Sequence, residues 1–326
     1  MNNPKILIIC AVFSALAIPS HGAAFLLGDV FVGAHSGGVI GHYTSAGVFI
    51  ENLVTGNGAE QTGMAFDSSG DLYATSFGTS TITKFSRVDG SIVSPNPFII
   101  NDPNSHNESI VFDSSGNFFV GQADGTSDII KRNSSGAFVA RYDVTDDNRG
   151  SDWVDLASDQ KTMFYTSEGR AIQRFDVSTN TQLANFATLA GSGNAFALRL
   201  LADGGLLVAD RSNIKRLNSA GAVTQTYDVA GQDFFFALNL DPDGNSFWSA
   251  DYTTGNVYKF NIASGAVSTS FNKAGGVSGL AVYGEITQGN PTPPRSVPDG
   301  GTSFALLGLS CLSLMALRRA IAPKQT

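Results

Sequence analysis

Five segments in the middle of the chain share one pattern of hydrophobic and polar positions. Each contains an apolar strand, a tight polar turn and a second apolar strand. Alignment on the turn places five residues in register, namely Gly70, Gly116, Gln160, Gly204 and Gly244. The repeat is therefore about 44 residues long, and several copies show a short third strand such as Ile82–Phe85. Repeats of this length predict blades of four strands.

The repeat is split between the two ends of the domain. Gly28 fits the pattern one repeat before Gly70 and is followed by a strand at Val30–Gly33, but the strand that should precede it is missing. That strand occurs at the other end, as Gly279–Tyr283. Pairing of the last strand with the first segment would close a ring and protect its edges. The sequence therefore predicts an all-β fold, a six-bladed β-propeller over residues 25–284.

This repeat pattern resembles the NHL repeat and related six-bladed propellers. The resemblance implies an architecture and leaves the function open, because such folds host many unrelated activities.

The N-terminus has the pattern of a secretory signal peptide. Lys5 is followed by an apolar stretch from Ile6 to Ile18, then by a proline and small residues. We expect residues 1–24 to be the signal peptide, with cleavage after Gly22 or Ala24. The alternative is an uncleaved anchor helix.

The C-terminus combines a short polar motif, a hydrophobic stretch and positive charge. The motif is Val297, Pro298, Asp299, Gly300 and Gly301, and it precedes an apolar run that ends before Arg318 and Arg319. This order resembles the PEP-CTERM sorting signals, most closely the VPDSG variant, with Gly300 in place of its serine.

The PEP-CTERM resemblance implies that residues 297–326 are a sorting signal with a transmembrane segment. It further implies an exosortase-type processing protease as partner, transient anchoring in the inner membrane, and export to the cell surface or the extracellular space. The paired arginines would stay cytoplasmic by the positive-inside rule. An ordinary anchor helix is the alternative. Residues 285–296, which contain prolines, are expected to form an extended linker or a disordered tail.

Composition narrows the classes of function. The two cysteines, Cys10 and Cys311, lie in the terminal segments, so the mature chain would contain neither disulfides nor thiol chemistry. The formal net charge is −8, and it becomes more negative when the basic ends are removed. Nucleic acid is therefore not expected as a partner.

Candidate chemistry gathers at one mouth of the predicted channel, where the innermost strands begin. One position per blade is occupied by Thr62, Glu108, Asp152, Phe196, Phe236 and Ser278. Glu108 and Asp152 look similar to metal ligands of gluconolactonase-like and regucalcin-like propellers, which implies a site for Ca²⁺ or another divalent cation. Two carboxylates are few for Ca²⁺, which takes about six to eight oxygens. The alternative is a pair of solvated loop acids, and no other cofactor is expected.

Other polar residues recur without forming a motif. His35, His42 and His106 are scattered. Lys84, Arg174, Arg216 and Lys259 occupy one strand position in successive blades, with His42 there in another. They predict either a basic ring for anionic ligands or a repeated solvated strand face.

The function that the sequence favours is an exported binding or structural module of the cell surface or extracellular matrix, with a polysaccharide or protein ligand. PEP-CTERM systems accompany exopolysaccharide production, so the resemblance implies a link to exopolysaccharide or biofilm. No catalytic residue is assigned. The alternative function is a metal-dependent hydrolase or lactonase of the gluconolactonase-like type, which would use Glu108 and Asp152.

Overall fold

The described part of the chain folds into six antiparallel sheets of four strands each. The structure is a computed structural model that describes residues 22–100 and 106–290. Within these residues there is no helix that could cross a membrane. The sorting signal lies outside the described residues. The predicted signal peptide also lies outside them, apart from its last three residues.

The strands follow one another around the ring. Blade 1 contains β1 (Val30–Ala34), β2 (Val39–Tyr43) and β3 (Phe49–Val54). Blade 2 contains β4 (Gln61–Phe66), β5 (Leu72–Ser76), β6 (Thr81–Phe85) and β7 (Ile99–Ile100). Blade 3 contains β8 (Asn107–Phe112), β9 (Phe118–Gln122), β10 (Ile129–Arg132) and β11 (Phe138–Tyr142).

The second half repeats this order. Blade 4 contains β12 (Trp153–Leu156), β13 (Thr162–Thr166), β14 (Ala171–Asp176) and β15 (Thr181–Thr188). Blade 5 contains β16 (Ala195–Leu200), β17 (Leu206–Asp210), β18 (Asn213–Leu217) and β19 (Val223–Tyr227). Blade 6 contains β20 (Phe235–Leu240), β21 (Ser246–Asp251), β22 (Asn256–Asn261) and β23 (Val267–Asn272), and it is followed by β24 (Val277–Val282).

The last strand closes the ring in the way that the split repeat predicts. β24 pairs antiparallel with β1, with Val30 opposite Val282 and Gly33 opposite Gly279. Blade 1 therefore has the strand order β24-β1-β2-β3, and its innermost strand comes from the far end of the domain. The prediction of six four-stranded blades in a closed all-β propeller is confirmed.

The repeated turn has the backbone conformation that its glycine predicts. The aligned position is left-handed in every blade, with φ of 85° at Gly28, 91° at Gly70 and 79° at Gly116. Gln160 replaces glycine in blade 4 and still adopts a φ of 61°. Glycine is the residue that enters this region without steric cost, so the pattern reflects backbone geometry.

The core lies between neighbouring blades. The innermost and second strands bury nearly all their side chains, whereas the outermost strands alternate exposed and half-buried positions. Large aromatic side chains such as Trp153, Trp248 and Tyr165 are fully buried between sheets. This packing fixes the direction of the innermost strands, whose first residues surround the upper mouth of the channel. The lower mouth is where those strands end.

Candidate functional site

The six positions that the sequence places at the upper mouth all lie in equivalent places. Each is the second residue of an innermost strand, except Asp152, which directly precedes β12. All six side chains are buried. The exposed fraction is 3% for Glu108 and 0% for Asp152, so the alternative of two solvated loop acids is wrong.

A cavity of about 330 Å³ opens above these positions. We call it the upper pocket. It is lined by acidic, basic and aromatic side chains, namely Glu60, Phe77, Glu108, Arg149, Glu168, Asn194, Phe196, Arg211, Phe234, Phe236 and Tyr252. Its volume lies at the lower end of the range for small-molecule sites.

The two buried acids have strongly perturbed protonation. Burial raises the pKa of Glu108 well above its ordinary value, and the nearby Asp152 carboxylate adds to the effect. Burial likewise raises the pKa of Asp152, with a further contribution from Glu168. Within the described residues neither carboxylate oxygen of Asp152 has a hydrogen-bond partner. A buried charge without partners is costly, so this pair favours either protonation or a bound cation.

The cationic side chain beside these acids is already engaged. Arg149 contacts Asp124 through Nη2 at 2.7 Å and Nε at 2.9 Å, and it contacts Glu168 at 3.1 Å. The hydrogen bond from Arg149 is the main reason that the pKa of Asp124 is lowered to about 2. His106 also contacts Asp124, at 2.6 Å. These contacts hold the rim of the pocket rather than its floor.

The opposite wall is aromatic. The ring centroids of Phe196 and Phe236 are 4.9 Å apart, and the Tyr252 ring lies 5.1 Å from Phe236. Phe234 lies 5.0 Å from Tyr252 at the rim, and the exposed Arg211 stacks on it at 4.9 Å. The pocket therefore combines acids on blades 3 and 4 with an apolar wall on blades 5 and 6.

Three rim residues that are not glycine have positive φ. The values are 33° for His106, 50° for Glu168 and 55° for Arg211. Such conformations cost free energy and persist only where the surrounding structure holds them. The surrounding structure therefore holds the backbone of the rim in a defined conformation at these three residues.

The predicted divalent-cation site stays a prediction. Among residues 22–100 and 106–290 there is no group of three His, Cys, Asp or Glu side chains that could hold a metal ion. Phe196 and Phe236 occupy positions where further oxygen ligands would be needed. Of the scattered histidines, His42 is buried against Asp29 at 2.9 Å, whereas the ring of His35 packs against that of Tyr252 at an angle of 36°.

Sequence reasoning missed a second polar cluster, at the lower mouth. The fully buried Arg199 donates to Glu285 at 2.9 Å, and Asn239 donates to the other Glu285 oxygen at 2.7 Å. Asp155 lies nearby and accepts hydrogen bonds from the backbone amides of Leu156 and Leu200. The chain after β24 thus packs against the lower mouth. A second contact holds it there, since Gln160 donates a hydrogen bond to the carbonyl of Gly289.

Glu285 carried no signal that marked it in the sequence. It follows the last repeat and belongs to no motif. Arg199 is a charged residue in an otherwise apolar strand. Charged side chains are almost never fully buried unless they are paired, so this position indicates a buried partner.

Comparisons with known proteins agree with this architecture. The VPDSG-CTERM motif matches residues 296–321. A search of curated protein sequences found no match.

Several solved structures have a similar fold. A chain of a nidogen–laminin complex is 17% identical, with a TM-score of 0.65 over 78% of this chain and 98% of that one. A Bacteroides caccae protein of unknown function is 14% identical, with a TM-score of 0.64 over 79% of this chain and 99% of that one. A streptogramin B lyase is 17% identical, with a TM-score of 0.58 over 79% of this chain and 85% of that one.

Structural similarity at identities this low establishes the fold. It does not assign the activity of these proteins to this chain. The C-terminal motif is a sorting signal of exported proteins, and the described residues form a closed ring of six blades. The chain is an exported six-bladed β-propeller that carries a VPDSG-CTERM sorting motif.

Proposed function

We propose that this chain is a ligand-binding module of the cell surface or extracellular matrix, linked to exopolysaccharide, and that the upper pocket holds the ligand. The observation that carries the proposal is the pocket itself, in which the buried Glu108 carboxylate faces an aromatic wall, with Asp152 close to Glu108. Natural binding sites combine an apolar lining with a few polar groups that orient the ligand. The sorting motif supports the location, since it belongs to exported proteins.

The composition of the pocket favours binding over hydrolysis. Phe196, Phe236 and Tyr252 supply flat surfaces that can stack on a ligand ring. The Glu108 carboxylate lies among the other lining residues, and the buried Asp152 is close to it. A metal-dependent hydrolase would need further oxygen or nitrogen ligands at the positions that the phenylalanines fill.

The proposal is tested with matrix polysaccharide purified from the host. The full chain, solubilised in a mild detergent, should bind this polysaccharide in a sedimentation assay. Phe234→Ala should weaken binding about 10-fold or more, because a stacked aromatic ring at an interface contributes about 1–3 kcal/mol. Phe138→Ala removes a ring that is 59% exposed on an outermost strand, so this control should bind normally.

Two outcomes would count against this function. Binding that is equal in the wild type and in Phe234→Ala would place the ligand elsewhere on the ring. Metal-dependent turnover of a lactone or ester that disappears in both Glu108→Gln and Asp152→Asn would instead support the hydrolase alternative.

A further inference from the structure

A buried acid close to the upper pocket lacks hydrogen-bond donors. Asp152 is fully buried, and no described residue donates a hydrogen bond to either of its carboxylate oxygens. Glu108 is buried at the equivalent position of the neighbouring blade, lines the pocket and feels the charge of Asp152. Buried acceptors without donors destabilise the empty site, and a ligand that supplies donors removes that cost.

The protein's own cations do not fill this role. Arg149 donates hydrogen bonds to Asp124 and Glu168, on the rim side of the pocket. Arg211 is exposed and stacks on Phe234. Glu60 and Glu168 add two more carboxylates to the lining, so acids outnumber the basic side chains around the cavity. The charge of the pocket therefore favours a cationic ligand.

The aromatic wall determines the kind of cation. Phe196, Phe236 and Tyr252 offer ring faces and no oxygen ligands within the pocket apart from the Tyr252 hydroxyl, which contacts Glu60 at 3.4 Å. Such a wall suits an organic cation, which is attracted to aromatic faces and brings an apolar body. A hydrated metal ion gains little from these rings. The cavity of about 330 Å³ limits the body to about the size of one or two small rings.

We propose, on the basis of the binding function assigned to this pocket, that its ligand is a primary organic ammonium. The ammonium donates to Glu108, close to which the Asp152 carboxylate adds its charge, and the body of the ligand lies against Phe196, Phe236 and Tyr252. An ammonium carries three N–H donors for the acceptor oxygens of Glu108. A quaternary ammonium has the same charge but no N–H, so it would leave those acceptors unpaired.

Three probes that share one benzyl ring separate the contributions of charge and N–H donors. Isothermal titration calorimetry at pH 7 on the full chain in detergent compares benzylamine, benzyltrimethylammonium and benzyl alcohol. We expect benzylamine to bind at least 10-fold more tightly than either of the others. Glucosamine and butylamine carry the same ammonium on a sugar and on an alkyl chain. Tighter binding of either one identifies the source of the ligand and supports the proposal.

The variants Glu108→Gln and Asp152→Asn keep the shape of each side chain and remove its charge. Each should weaken benzylamine binding at least 10-fold, whereas Asp143→Asn, at an exposed position away from the pocket, should leave it unchanged. Thermal unfolding of each variant verifies that it is folded.

The outcomes distinguish this inference from the function on which it rests. Equal binding of benzyl alcohol and benzylamine overturns the ammonium ligand, and so does Ca²⁺ that displaces benzylamine through the same two carboxylates. If polysaccharide binding still depends on Phe234 in those cases, the binding function stands without the inference. If benzylamine binds as expected but no polysaccharide does, the inference stands and the link to exopolysaccharide fails.

Discussion

The third strand of five blades places one cationic or imidazole side chain beside an aspartate of a turn. The pairs are His42–Asp29 at 2.9 Å, Lys84–Asp67 at 3.0 Å, Lys131–Asp113 at 3.4 Å, Arg216–Asp203 at 2.8 Å and Lys259–Asp241 at 2.8 Å. Blade 4 has Gln160 in its turn, and its Arg174 instead donates to the carbonyl of Ala184. These side chains form contacts within their own blades. The ring of basic residues is therefore not free to bind anionic ligands.

Glu108 and Asp152 behave in the opposite way, because the attraction of Arg149 only partly offsets their burial. The pKa values of Glu108 and Asp152 are raised above their ordinary values near 4, first by burial. The folded state therefore retains protons that the unfolded chain releases as the pH rises above about 4. Their contribution to stability falls through this window and is lost once the pH exceeds the raised pKa values.

The first prediction concerns these two residues. The double variant Glu108→Gln, Asp152→Asn should have a higher melting temperature than the wild type at pH 7 and a flatter dependence of melting temperature on pH above about 4. Thermal unfolding followed by circular dichroism between about pH 4 and pH 8 measures both effects. Asp143→Asn is the control and should follow the wild-type curve. A double variant that melts lower at pH 7 would mean that both acids are charged and compensated.

At the scale of single elements, innermost strands of neighbouring blades approach closely at one small residue. Gly279 in β24 lies against the backbone of β4, and an added Cβ would overlap the carbonyl oxygen of Thr62. Gly63 in β4 has the same relation to Ser109 in β8. The ring therefore closes at positions where a side chain would hold the strands apart.

The second prediction is that Gly279→Ala destabilises the fold by about 1–3 kcal/mol, because the overlap forces backbone shifts in a packed core. Chemical denaturation measures the free energy of unfolding. Gly78→Ala provides the matched control. The nearest atom to its added Cβ is the Ala59 Cβ at 4.0 Å, so it should be tolerated. Equal stability of the two variants would show that the contact between β24 and β4 is not tight.

The segment after β24 is held by one buried ion pair. The exposed fraction of Arg199 is 2%, and its charge is balanced by Glu285 and the nearby Asp155. Glu285 also accepts from Asn239 and from the backbone amide of Leu240. Removing one partner of a buried pair leaves an uncompensated charge, which costs much more than the pair itself contributes.

The third prediction follows from this pair. Glu285→Ala should reduce the free energy of unfolding by about 3 kcal/mol, measured by chemical denaturation. Asp203→Asn, which weakens the partly exposed pair with Arg216, should cost less than about 1 kcal/mol. If both changes had the same small effect, Glu285 would not be bound at the lower mouth in solution.

At the scale of the whole molecule, the sequence predicts the structural features that recur in every blade. It does not predict the contacts that occur in a single blade. The spacing of about 44 residues recurs in every blade. It predicts the number of blades, the closing strand and the six upper-mouth positions. The burial of Glu108 and Asp152 does not follow, because it depends on how side chains from different blades pack around the channel. The contact between Arg199 and Glu285 joins residues 86 positions apart and appears in one blade alone, so no period marks it.

The fourth prediction concerns the mature chain. The two hydrophobic ends carry Cys10 and Cys311, and both lie outside the described residues. Removal of both ends by a signal peptidase and an exosortase-type protease should leave a protein without cysteine. Intact-mass measurement on material released by the native host should show loss near Gly22–Ala24 and near Val297–Gly301. A thiol-specific alkylating reagent should add no mass to the released protein.

The structure makes such trimming physically reasonable at both ends of the ring. Phe25 is buried between Phe31 and Tyr283, and the amide of Ala23 donates to Glu51 at 2.9 Å, so the ring holds the chain from about the predicted cleavage site onward. At the other end, Gly289 is bound to Gln160, before the sorting motif begins.

Replacing Arg318 and Arg319 with glutamate should impair the predicted inner-membrane anchoring, because positive charge is what keeps the flank of a spanning segment on the cytoplasmic side. Full-length chain recovered from the membrane of the wild-type host would identify the C-terminus as a permanent anchor and refute the predicted processing.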